Sequence, residues 1–141
     1  MSRIFTTTIN SFSTHVWLLP LRVAAASFLM THGYPKFEKL MEGGEIQFLD
    51  FLGLGTTTSM ALAMFGEFIC SIFIILGLGT RLAAIFPMVT MLVAALVAHA
   101  DDPFQHKELP LLYFLIFTTL MIFGSGKYSI DRVIEKRLLM R

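Results

Sequence analysis

The sequence encodes an all-α integral membrane protein, a four-helix bundle set in a bilayer. Its apolar composition, four long apolar runs and the Gly/Pro punctuation between them lead there. Hydrophobic residues make up 55% of the 141 positions and charged residues 15%, against about 25% charged in an average soluble domain. Mean hydropathy is +0.72. That balance excludes a disordered or collagen-like chain. A net charge of +1 gives no basic footprint for nucleic acid. With one cysteine, Cys70, the chain cannot form an internal disulfide, a CxxC pair or a Cys-based cluster by itself.

A spanning helix needs about 20 mostly apolar residues. The first run covers about Val16 to His32 and contains one charge, Arg22. The second covers about Met60 to Leu78 and contains Glu67. The third, Leu82 to His99, is free of Asp, Glu, Lys and Arg. The fourth, Leu109 to Phe123, is short, so its flanks are expected to extend it. None alternates with the two-residue period of a barrel strand, and only helices or closed barrels satisfy their backbones in lipid. The whole chain, 1–141, reads as one transmembrane domain. Gly33-Tyr34-Pro35 is expected to end the first helix, and Gly77 to Arg81 to form a tight turn. Asp101-Asp102-Pro103 and Gly124-Ser125-Gly126 close the third and fourth. Pro20 and Pro87 read as kinks within spans.

Residues 36–57 form a long outer connection, expected as two short interfacial helical pieces divided by Gly43-Gly44. From Ser129 the tail alternates Ile130, Val133, Ile134 and Leu138 with Arg132, Lys136 and Arg137. This predicts a basic amphipathic helix on the membrane surface, capped by Ser129 with Asp131 in its first turn. Four spans place both termini on one side. That side carries Arg3, Arg81, Lys127, Arg132, Lys136, Arg137 and Arg141, and the other only Lys36, Lys39 and Lys107. The excess assigns the termini to the cytoplasm. Ala24-Ala25-Ala26 imitates a signal-peptide cleavage site, but Arg22 interrupts the apolar run before it, so no cleavage is expected.

Ionisable groups at membrane depth cost about 2.5–3.5 kcal/mol or more, so Arg22 and Glu67 need a reason. Arg22 lies ten residues before His32, roughly 15 Å along a helix. Glu67 lies at a similar depth in the antiparallel second span, which predicts an Arg22–Glu67 ion pair. The pair either locks two helices together or serves a ligand. A second group collects at the outer ends of the helices: His32, Lys36, His99, His106 and Glu108. Imidazole, ammonium and carboxylate at one level could bind a quinone headgroup or relay protons. With no histidine pair one turn apart and no HxxE, no metal site is expected. A haem between His32 and His99 is a further alternative. His15 reads as an interface residue, His106 as solvated and Cys70 as a packing hydrophobe. Ala24 to Ser27, Ala61, Ala63, Ala94, Ala95 and Ala98 suit close helix packing.

Together these residues resemble the DoxX family. Arg22 followed by Thr31-His32-Gly33-Tyr34-Pro35-Lys36-Phe37 resembles its first-span signature. Gly66-Glu67-Phe68 and Leu76-Gly77-Leu78-Gly79-Thr80-Arg81-Leu82-Ala83-Ala84 look like its second span and inner turn. Met91 to His99, Glu108, and Gly124 to Asp131 match the remainder, so the resemblance covers roughly residues 16–132. It implies a four-helix inner-membrane protein, of the kind associated with quinone-linked sulfur oxidation or with oxidoreductase complexes in oxidative-stress defence. Distant relatives act as membrane chaperones or cargo receptors. The expected function is a quinone-interacting or redox-associated subunit of a membrane oxidoreductase system. Glu67, Arg22, His32 and His99 are then the candidate catalytic residues, and His32, Lys36, His99 and Glu108 the candidate quinone ligands. Electrons would come from a partner membrane or periplasmic protein, since the sequence carries no motif for a redox cofactor of its own. Membrane lipid and a second copy of the chain are further expected partners. The alternatives are a non-enzymatic scaffold or assembly factor and, with less support, a small transporter.

Overall fold

A computed structural model describes residues 10–140. Arg3 and Arg141, counted above on the termini side, lie outside the described residues. Among the described residues there are five helices and no strand: α1 (Ser11–Glu42), α2 (Thr56–Leu76), α3 (Thr80–Ala98), α4 (Phe104–Phe123) and α5 (Ile130–Leu139). The first four are long and apolar enough to cross a membrane.

Helix α1 starts at Asn10, whose side chain accepts from the Phe12 N–H at 2.9 Å. It does not end at Gly33-Tyr34-Pro35. It runs through Pro20 and Pro35 to Glu42 and stops at Gly43, φ 72°. At 1.5 Å per residue its 32 residues measure about 48 Å, against about 30 Å of hydrocarbon. Gly33 works here as a packing residue. A Cβ on it would lie 2.8 Å from the backbone of Glu67 and of Phe68, so α1 and α2 cross there with almost no gap. That contact holds the helix together across a sequence that would break an isolated one.

The crossing sets the register. Gly33 faces Glu67 and Phe68, while Arg22 faces Gly77 at the far end of α2. The stretch of α1 beside α2 therefore begins near Arg22, and its first turns reach past α2, where His15 and Leu18 meet Gly126.

Residues 43–55 form no helix, contrary to the two short pieces expected there, because the first piece is simply the end of α1. The connection is held by Phe51 N–H to Ser59 Oγ, 3.0 Å, and Gly55 N–H to Asp50 Oδ1, 2.8 Å. Helix α2 widens to π geometry over Phe65–Ile69, and α3 does so over Ala94–Ala98. Such bulges collect at functional sites. Between α2 and α3, Gly77 turns the chain at φ 68°, with Leu78 N–H bonded to Phe73 O at 2.9 Å. Helix α4 begins at Phe104 after Pro103, extending the short fourth run as expected. Ser129 caps α5 by accepting from the Arg132 N–H.

The core joins Leu18, Ala26 and Leu29 of α1 to Cys70 and Ile74 of α2, Ala84 and Met91 of α3, and Phe117 and Leu120 of α4. Of the small residues expected at close helix contacts, Ala25, Ala26, Ala63 and Ala95 are buried, whereas Ala24, Ser27 and Ala98 are exposed. Phe28, Leu62, Leu82, Leu96, Leu112 and Leu115 face outward, the pattern of a bundle whose solvent is lipid.

Candidate functional site

Arg22 and Glu67 do not meet. The Arg22 guanidinium donates to the carbonyl of Tyr128 and fills the space that Gly77 leaves by having no Cβ. Its level is that of residue 77, ten residues or about 15 Å along α2 from Glu67. The expected pairing counted depth from a helix end at residue 32, and the helix continues to residue 42. Asp131 joins Arg22 at this end, accepting from the backbone N–H of Gly79 at 2.6 Å and of Thr80 at 3.1 Å. It thereby caps α3 and ties α5 to the turn before it. Burial works to raise the Asp131 carboxyl, but the Thr80 and Gly79 N–H groups and the Ser125 and Thr80 hydroxyls outweigh it. The group sits below the ordinary carboxylate range.

Glu67 pairs instead with Lys36. Gly33 brings α1 against the π segment of α2, and one turn later Lys36 reaches the carboxylate. The Glu67 side chain is 5% exposed and that of Lys36 21%. Phe37 stacks on Phe68 with centroids 5.3 Å apart, and Tyr34 tilts against the same ring at 6.1 Å. His32 lies one turn before Lys36, exposed, within electrostatic reach of Glu67.

Beside the pair opens a cavity of about 610 Å³ between α2, α3 and the connection 43–55. Phe48, Leu49 and Phe51 close it from the connection, Leu62 and Phe65 from α2, and Phe86, Val89 and Val93 from α3. Phe65 and Phe86 meet edge to face at 5.0 Å. The polar groups in this apolar wall are Lys36, Glu67, Ser59, Thr90 and His99. Both π segments contribute to it, through Glu67 and through Ala94 and Ala98.

His99 follows the second π segment. Its Nδ1 lies 2.7 Å from Asp102 Oδ2, and His106 Nδ1 lies 3.3 Å from the same oxygen. Hydrogen bonds from His99 first, then His106, hold Asp102 below the usual carboxylate range. The structure thus brings Lys36, Glu67 and His99 to one cavity. It leaves His32 and Glu108 exposed and outside the cavity wall, and Arg22 at the opposite end. Sequence reasoning missed the Lys36–Glu67 pairing, the aromatic cover at Phe48 to Phe51, and Asp102. An aromatic-rich connection and an aspartate between two histidines were the available signals. On the termini side, a second, open depression of about 640 Å³ is bordered by both charge signs, among them Arg81, Lys127, Asp131 and Glu135.

The family model of DoxX matches residues 17–100. The chain belongs to the DoxX family. A Bacillus subtilis protein described as "Putative oxidoreductase CatD" is 27% identical over 125 residues, covering 88% of this chain and 91% of that protein. No solved structure matches the chain. The DoxX match takes in most of α1 and all of α2 and α3, with Lys36, Glu67 and His99, and ends one residue past His99, so Asp102 and His106 lie beyond it. The family, together with four apolar helices, makes this a multi-pass membrane protein.

Proposed function

We propose that this DoxX protein is a quinone-interacting subunit of a membrane oxidoreductase system. The observation that carries the reading is the part-buried Lys36–Glu67 pair in the wall of a largely apolar cavity. A flat, lipophilic ring with two carbonyl oxygens suits such a space, where apolar walls bury the ring and a few polar groups orient it. The relationship to a protein described as an oxidoreductase supports the same reading.

A bound quinone would supply two-electron, two-proton redox chemistry, with the electrons coming from a partner reductase. The residues of this chain do the rest. Lys36 donates to one carbonyl oxygen, and its charge favours negative charge gathering there. The Glu67 carboxylate, ionised in the pair, would take up the proton that the reduced ring releases on oxidation and return it on reduction. His99, also in the cavity wall, would address the second oxygen when its Nε2 carries a proton. Phe48, Leu49 and Phe51 keep water off the ring. We further place the protein in a bacterial-type inner membrane with both termini cytoplasmic, since the described basic residues Arg81, Lys127, Arg132, Lys136 and Arg137 crowd the termini side.

The test is organic extraction and mass spectrometry of the detergent-purified protein beside Glu67→Gln and Lys36→Met. Quinone retained by the parent and lost from folded variants is the expected result. Absence of quinone from the parent, with no thermal shift on adding one, overturns it. A second reading, a scaffold or assembly factor, draws on α5, which buries no residue and exposes Ile134, Leu138 and Leu139 beside Lys136 and Arg137. Co-purifying protein subunits in place of quinone would favour it.

A further inference from the structure

We propose that His99, Asp102 and His106 form a three-ligand site for a divalent transition-metal ion, zinc(II) in the first instance, at the end of the bundle opposite the termini. One ligand atom from each lies within 4.8 Å of the others. Ligands of a tetrahedral ion at about 2.1 Å stand about 3.4 Å apart. Both Nδ1 atoms face the same carboxylate oxygen, at 2.7 and 3.3 Å. The three ligand atoms are thus already gathered near the spacing that a bound ion needs.

The donor set selects the class of ion. Two imidazoles and one carboxylate suit zinc or iron(II). Without a thiolate the site does not favour copper(I), and with two nitrogen donors it is not a calcium or magnesium cage. Three protein ligands leave a position open for water or an added molecule. The backbone presets the cluster. The His99 N–H closes the π turn on Ala94 O at 3.0 Å, Asp102 N–H bonds His99 O at 3.1 Å, and His106 N–H bonds Pro103 O at 3.0 Å. Lys107, the nearest cation in sequence, is turned onto the Ala100 carbonyl at 2.6 Å. The side chains are 39, 42 and 61% exposed, so an ion can reach them.

The site also bears on the cavity, because His99 belongs to both. With Nδ1–H donating to Asp102, the neutral ring has only a lone pair on Nε2. With a metal on Nδ1, Nε2 carries the proton and becomes a donor. Starting from that tautomer, metal binding converts Nε2 of His99, a residue of the cavity wall, from acceptor to donor. The metal site itself does not rest on what the cavity holds.

The experiment is titration calorimetry of zinc(II) into chelator-treated, detergent-purified full-length protein carrying no histidine tag, beside His106→Ala and Asp102→Asn. Cobalt(II) serves as a spectroscopic probe. One saturable zinc per chain is expected, with visible cobalt d–d bands. Loss of either ligand should weaken binding by more than about 100-fold, beyond the roughly 10–100-fold typical of an outer-shell partner. Helical circular dichroism reports folding, and the exposure of His106 makes His106→Ala the safer variant. No saturable binding, or unchanged affinity in folded His106→Ala, overturns the proposal. Quinone extraction is scored separately, so failure of one reading leaves the other standing.

Discussion

Lys36 and Glu67 form a part-buried ion pair whose partners are 31 positions apart in sequence. Removing one partner strands the other in a largely apolar wall, at a cost of about 1–3 kcal/mol. Glu67→Ala alone should therefore lower the melting temperature in detergent clearly. The double variant Lys36→Met/Glu67→Leu should recover most of the loss yet retain no polar lipophilic ligand. Thermal unfolding and ligand extraction on the same samples check both halves. At Gly33 the methyl of an alanine would press on α2 backbone at 2.8 Å. Gly33→Ala should cost about 1–3 kcal/mol, read as a lower melting temperature. The sequence announced that Glu67 needed a partner and named a wrong one. Helix spacing gives depth only when the helix end is known, and Gly33-Tyr34-Pro35 imitates an end. The signal that Gly33 is a packing residue lies in α2, not in its own neighbours.

Elements were more legible than contacts. Four spans, the Gly77 turn and the Ser129-capped tail follow from hydropathy and from residues that act locally. The connection 43–55 was misread because its apolar residues cover a cavity rather than follow a helical stripe. The π segments leave no sequence signature at all, since they record how α2 and α3 accommodate neighbours. Asp131 joins two elements and makes a pH prediction. Its folded value lies below the ordinary carboxylate value of about 3.9, so its contribution is complete above that value. It is lost as pH falls through the depressed folded value. Asp131→Asn should lower stability by about 1 kcal/mol near neutral pH. Its melting temperature should converge on that of the parent in acid. A gap that stays constant down to pH 3 would contradict the capping role.

For the whole molecule, topology puts the Arg22–Tyr128–Asp131 cluster at one end and Lys36, Glu67 and His99 towards the other. Cysteines placed at Lys127 and Lys107 should label from opposite faces of sealed vesicles, Lys127→Cys from the cytoplasmic one. Both labelling from the same face would undo the four-span topology. Such experiments normally begin by deleting native thiols, and here that step is unnecessary. Cys70, the chain's one thiol, is 2% exposed in the core of the bundle. A modifying reagent can reach it only when helices part. Labelling of Cys70 in the unaltered protein, expected to be slow, is thus a clock for opening of the bundle. Added quinone or zinc(II) can be judged by whether that clock slows.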